Sequence, residues 1–120
     1  MKPRSAKAKG RNLQNYVRDA LREVFCNSSK MPKLHEDDIK SQTMGMTGED
    51  IVLSPLARSY IPYSFECKNV ERLQFWKTVE QAEENVKKGT FPAVVVKKNR
   101  KKPYVAIPLE HFIELLEEKL

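Results

Sequence analysis

Long apolar runs are missing from this 120-residue chain. Its longest aliphatic stretch, Ala93-Val94-Val95-Val96, falls far short of the roughly 20 residues that a membrane-crossing helix needs. The N-terminus is basic but has no apolar segment behind it, so it does not read as a secretory signal. These absences predict a soluble, cytoplasmic protein with no membrane partner. Cysteine is scarce as well. Cys26 and Cys67 stand far apart, make no zinc spacing, and both sit in apolar patterns that predict buried thiols rather than a disulfide. His35 and His111 are too few and too scattered for a histidine-metal nuclease motif and read as surface or helix-packing residues. No internal repeat is present. At this length the chain supports one core, not two.

Acidic residues are absent from the first eleven positions, which hold Lys2, Arg4, Lys7, Lys9 and Arg11. A second basic cluster follows at Lys97, Lys98, Arg100, Lys101 and Lys102. With these ten set aside, 12 of the 22 basic residues remain against 16 acids, so the net charge of +6 belongs to two patches and not to the whole surface. Patches of this kind serve solubility in some proteins and bind the phosphate backbone of nucleic acids in others, with a steep salt dependence in the second case.

Hydrophobic spacing outlines the organisation. Residues 1–10 read as a flexible basic arm and 11–120 as one domain. Leu13, Val17, Ala20, Leu21, Val24 and Phe25 recur at helical spacing, with Tyr16 beside the stripe. Asn27-Ser28-Ser29 breaks this helix, and Met31-Pro32 continues the loop. Asp38 to Met44 is a weak first strand, Gly45 and Gly48 bracket a turn, and Ile51 to Ser54 is a second strand. Pro55 to Pro62 reads as an irregular excursion, with Arg58 as a candidate phosphate contact. Ile61 to Asn69 is a third strand. A helix over 71–88 carries Phe75, Val79, Ala82 and Val86 as its stripe, with Leu73 and Trp76 to one side and Gly89 as its stop. Pro92 to Lys97 and Lys102 to Ile107 form a hairpin around Lys98-Asn99-Arg100-Lys101. Pro108 opens a last helix with Phe112, Ile113, Leu115 and Leu116 apolar.

Within this frame the informative stretch is Gly48-Glu49-Asp50-Ile51-Val52-Leu53-Ser54 followed by Tyr63-Ser64-Phe65-Glu66-Cys67-Lys68-Asn69. Side chains alternate along a strand, so Glu66 and Lys68 share a face while Phe65 and Cys67 take the other. An Asp, a Glu and a Lys at the ends of adjacent strands are the parts needed for metal-assisted phosphodiester cleavage: two carboxylates for a hard cation, one ammonium for the attacking water or the developing charge. Glu117-x-Lys119 is a second Glu-x-Lys triplet, in a charged helix end, so the first draws its weight from ending a β-patterned run behind an upstream Asp.

Asp50 and Glu66-Cys67-Lys68, with a helix before and a helix after, resemble the PD-(D/E)XK nuclease superfamily, most closely its small phage-type and Holliday-junction-resolvase-like members. The resemblance runs from about Lys9 to the C-terminal helix. The usual Pro before the first Asp is replaced by Glu49, which leaves Glu49 and Asp50 as rival first ligands; Asp50 is preferred because it directly precedes Ile51-Val52-Leu53. Small resolvases often carry a Glu in the first helix after a Lys-Gly pair. Here Lys9-Gly10 is followed by Gln14, and an amide is a poorer ligand for a hard cation than a carboxylate.

The resemblance implies an α/β fold with a mixed central β-sheet flanked by helices, a restriction-endonuclease-like core in the order α-β-β-β-α-β-β-α. It implies Mg²⁺, with Mn²⁺ as a substitute, held by Asp50, Glu66 and the backbone carbonyl of Cys67. Lys68 would orient or deprotonate the attacking water or stabilise the pentavalent phosphorus, and Gln81 matches a helix glutamine near the site, though it reads equally as a solvated helix residue. Lys7, Lys9, Arg11, Arg58, Lys97, Lys98, Arg100, Lys101 and Lys102 are the candidate DNA contacts. The resulting expectation is a Mg²⁺-dependent DNA endonuclease acting on branched DNA as a homodimer, in the cytoplasm of a bacterial or phage-infected cell, with Trp76 and Leu73 as candidate interface residues. A nicking or homing-type nuclease that reads sequence is the rival within the class, and a non-catalytic DNA-binding domain the rival outside it.

Overall fold

A computed structural model describes residues 3–27, 29, 33–46 and 48–120. Lys2, the Arg4 side chain, Ser28, Met31 and Pro32, which figured in the sequence expectations, lie outside them. The elements are helix α1 (Pro3–Phe25), strands β1 (Ile39–Ser41) and β2 (Ile51–Leu53), helix α2 (Pro55–Tyr60), strand β3 (Tyr63–Asn69), helix α3 (Phe75–Glu84), strands β4 (Phe91–Lys97) and β5 (Tyr104–Ala106), and helix α4 (Leu109–Glu117).

The architecture is mixed α/β, as expected, with the strands divided between two sheets. β1 and β2 pair antiparallel; β3 pairs parallel with β4, and β4 antiparallel with β5. A parallel pair needs a crossover, which α3 provides, and both faces of its strands are covered. That explains why Ser64 to Cys67 are buried in succession and not alternately. The two sheets touch where Asp50 N–H donates to Phe65 C=O at 2.8 Å. One apolar core joins Leu13 and Val17 of α1, Ile39, Ile51 and Leu53 of the small sheet, Ala57 of α2, and Phe65, Cys67, Ala93 and Val95 of the large one. Ile39 and Ile51 are wholly buried, each contributing about 2 kcal/mol of apolar transfer free energy.

Four expectations are corrected. The segment expected as a flexible arm belongs to α1 from Pro3 onward. Within α1, Ala20 and Val24 face solvent, and Gln14 takes a buried position beside Leu13. The segment after β2 is a helix, not an irregular excursion: the Ser54 side chain accepts from Ala57 N–H as N-cap and Pro55 occupies the first turn, where its missing N–H costs nothing. Finally, α3 is shorter than residues 71–88. It closes at Asn85, and beyond it Lys87 N–H donates to Ser64 Oγ on β3, so this loop is tied to the sheet. Gly89 (φ 79°) serves the turn into β4 instead of the helix end.

The histidines fit their expected places. His35 caps the 3₁₀ turn Glu36–Asp38 at the surface. His111 is buried under α4, bonded through Nε2 to the Tyr63 hydroxyl and stacked on Phe91.

Candidate active site

β3 carries the centre of the site because its two faces differ. Phe65 and Cys67 enter the core, while Glu66 and Lys68 turn to a cleft of about 250 Å³. Asp50, at the entrance to β2, reaches the same cleft: Oδ2 accepts from Cys67 N–H at 2.6 Å. Gln14 from α1 and Gln81 from α3 line it too, and the loop Thr43 to Met46 closes one side. The structure thus brings together Asp50, Glu66, Cys67, Lys68 and Gln81. It also places there Gln14, which stands where the resemblance puts a Glu, and Asn69, whose only sequence signal was an amide.

Main-chain geometry specifies what Cys67 presents. Phe65 C=O accepts from Asp50 N–H, and Cys67 N–H donates to the Asp50 carboxylate. N–H and C=O of one strand residue point the same way. The odd-numbered residues of β3 therefore turn their main-chain groups toward the Asp50 side of the strand, the Cys67 carbonyl with them. The thiol is buried in the core, where burial and then the Asp50 and Glu66 charges push its pKa far up, so it stays protonated and inert.

Glu49 and Asp50 are sorted by their partners. Glu49 is buried and its oxygens accept from Arg58 Nη2 at 2.6 Å and Nη1 at 3.3 Å. Among the described residues the Asp50 carboxylate accepts only from Cys67 N–H, and it faces the cleft. Arg58 is therefore the counter-ion of Glu49 in the structure, and its guanidinium is already occupied.

Burial dominates the electrostatics of the two cleft carboxylates. Burial and the adjacent Asp50 push Glu66 up to about 7, against the opposing pull of Lys68 and the Asn85 side chain. Burial raises Asp50 as well, opposed by the Cys67 N–H bond and by Lys68. Glu66 Oε2 and Gln14 Oε1 are buried with no hydrogen-bond partner among the described residues. Both are oxygen acceptors aimed at a polar cleft, which is the donor set a hard cation takes. No group of three His, Cys, Asp or Glu side chains converges among the described residues. The donors present, two carboxylates with a main-chain carbonyl and an amide oxygen nearby, fit an ion that keeps several of its waters, as Mg²⁺ does, and not the closed tetrahedral sites of structural zinc.

Parts of both basic segments approach the end of β3. Asn69 Nδ2 donates to Lys9 C=O at 3.2 Å, tying α1 to the end of β3. Asn69 in turn pairs with Lys97 across the sheet. Lys98, Arg100, Lys101 and Lys102 follow in the exposed β4–β5 turn, while Lys7 and Arg11 lie exposed on α1.

A mixed sheet with a carboxylate at the mouth of one strand and a Glu-x-Lys triplet on the next defines a restriction-endonuclease-like core. Residues 5–120 match the family described as "Phage putative PDDEXK endonuclease", and the chain belongs to that family. No curated protein and no solved structure matches it. No helix among the described residues is long and apolar enough to cross a membrane.

Proposed function

We propose that the chain is a Mg²⁺-dependent DNA endonuclease that hydrolyses phosphodiester bonds, with Asp50, Glu66 and Lys68 as its catalytic residues. The observation that carries this reading is that Asp50, from the entrance to β2, and Glu66, from β3, line one cleft, with a buried Glu66 oxygen left without a donor among the described residues. Asp50, Glu66 and the Cys67 carbonyl would hold the ion. When bound, Mg²⁺ would polarise a phosphoryl oxygen and make a bound water more acidic. Cys67 N–H fixes one Asp50 oxygen and leaves the other for the cleft. Lys68, on the Glu66 face of β3, would orient the attacking water or take up charge at the reacting phosphorus. Gln81 would position water or substrate from α3. The two basic segments beside the cleft would hold the DNA backbone.

Branched DNA is the substrate we favour, and a homodimer the form that cleaves it. Within this domain, DNA shape and backbone would supply recognition. Two such domains related by a two-fold axis would meet two strands. The support for self-association is the apolar surface of α3 and α4. Trp76 and Leu109 are each 73% exposed and line one groove, and Phe112, Ile113 and Leu116 follow at helical spacing on the outer side of α4. Leu73 lies apart from it, in a cleft with Val96 and Tyr104. The deciding experiment is cleavage of supercoiled plasmid, linear duplex and a four-way junction with Mg²⁺, Ca²⁺ or chelator. Mg²⁺-dependent cleavage, strongest on the junction, is expected; no cleavage of any substrate would remove the reading.

A further inference from the structure

The β4–β5 turn and the start of α1 meet at one carboxylate that the catalytic arrangement does not use. Glu71 Oε2 accepts from Asn99 N–H at 2.7 Å and lies 3.8 Å from Lys9 Nζ. Lys9 Nζ is buried and donates no hydrogen bond among the described residues. The turn is closed by Lys101 N–H to Lys98 C=O at 3.1 Å and places Arg100 in the left-handed region at φ 65°. Turns of this kind aim successive N–H groups into one concavity that suits an anion. Lys98, Asn99, Arg100 and Lys101 line a cavity with Glu71. A main-chain donor, a buried ammonium and three further cations thus surround one half-exposed carboxylate.

We propose that this cavity binds a backbone phosphate of DNA, and that Glu71 is the anion keeping its place in the free protein. The inference rests on the DNA-cleavage reading above. Glu71 follows Lys68 by three residues, so the pocket lies within about 10 Å of it along the chain. The half-exposed Glu71 can turn out to water when phosphate enters, whereas Lys9 and the turn remain where Asn69 and the sheet hold them. Because Glu71 already neutralises this pocket, the free protein carries less attraction for non-target polyanions than its lysine count suggests. Glu71 is on this account a regulator of affinity and not a catalytic residue.

Glu71→Gln isolates the charge, since its amide oxygen still accepts from Asn99 N–H. Binding of a fluorescent duplex is measured across salt concentrations with chelator present. Glu71→Gln should bind about fivefold more tightly at low salt, the effect of one unit charge a few ångströms away across water. Its salt slope should steepen by about 0.9, one further phosphate neutralised. Adding Lys9→Met to that variant should reverse both changes. Wild-type affinity and slope in Glu71→Gln would overturn the proposal and leave Glu71 as a fastener of the turn. A second measurement is independent of nuclease function: inorganic phosphate titrated against the Asn99 and Arg100 backbone amide resonances. Saturable shifts at lower phosphate in Glu71→Gln than in wild type are expected, and support the pocket even if the protein cleaves no DNA. No shift in either protein overturns the pocket whatever the DNA result.

Discussion

Arg58 holds both oxygens of Glu49, with its terminal nitrogens at 2.6 and 3.3 Å, while the neighbouring Asp50 turns its carboxylate to the cleft. Adjacent acids in one loop therefore have separate tasks, one inside the fold and one at the site.

Substitutions should divide along that line. Asp50→Asn, Glu66→Gln and Lys68→Ala are each expected to lower cleavage by at least about 100-fold with the fold retained, since each removes a proposed ligand or proton-handling group. Glu49→Gln should instead leave Arg58 without its charge partner in a buried setting, costing about 3 kcal/mol of stability. Thermal melts beside single-turnover assays distinguish the two effects. Full Mg²⁺-dependent activity in Glu66→Gln would sink the site assignment.

The pH dependence follows from Glu66. Its carboxyl lies at about 7 in the folded protein against 4.5 for an unperturbed Glu, so between these values the folded state binds more protons than the unfolded one. That stabilisation is complete below about 4.5 and is lost as pH rises through about 7. Metal-free wild type should thus lose melting temperature between pH 5 and pH 8 by more than Glu66→Gln does. Mg²⁺ added at pH 8 should restore it in wild type only, by roughly 2.7 kcal/mol at a hundredfold excess over Kd. Parallel melting curves for the two proteins would count against the Glu66 environment described here.

Neutralising Lys97, Lys98, Arg100, Lys101 and Lys102 should weaken DNA binding and reduce the salt slope by up to about 4.5, at about 0.9 for each phosphate no longer neutralised. Single-turnover cleavage at saturating protein should fall much less. Unchanged affinity at every salt concentration would mean that the turn points away from DNA and that Lys7 and Arg11 on α1 bind it instead.

For assembly, Trp76→Glu and Leu109→Glu should each shift a dimer to monomers in analytical ultracentrifugation, because the charges would enter the exposed apolar groove between α3 and α4. The same variants should lose the preference for a four-way junction over linear duplex in competition. Junction preference retained by a monomeric variant would separate shape recognition from dimerisation.

Much of this was legible in the sequence where a local rule acts alone. Strand alternation put Glu66 and Lys68 on one face, and the apolar run after Asp50 selected it over Glu49. Helix α2 was legible in principle, since Ser54-Pro55 is a cap followed by a first-turn proline. The start of α1 was obscured by charge, because Lys and Arg favour helix while their clustering suggests an arm. Contacts between distant segments left no trace in the sequence. Glu71 is one acid among 16 until the fold brings Lys9 and Asn99 to it. The periodicity of α4 identified a helix, but only its packing reveals that Phe112, Ile113 and Leu116 face outward while His111 faces in.

The parallel pairing of β3 with β4 bears on when the cleft comes into being. Its walls come from α1, the entrance to β2, β3 and α3, so Gln14 and Gln81, far apart along the chain, must both arrive before it is complete. Non-local pairings of this kind are slow to form, because loop-closure entropy is lost before their contacts offset it. A nascent or truncated chain lacking α3 would hold Asp50 and Glu66 without the opposite wall. The cleft is therefore complete only in a chain that has finished folding, with its two walls brought together by the last long-range contacts.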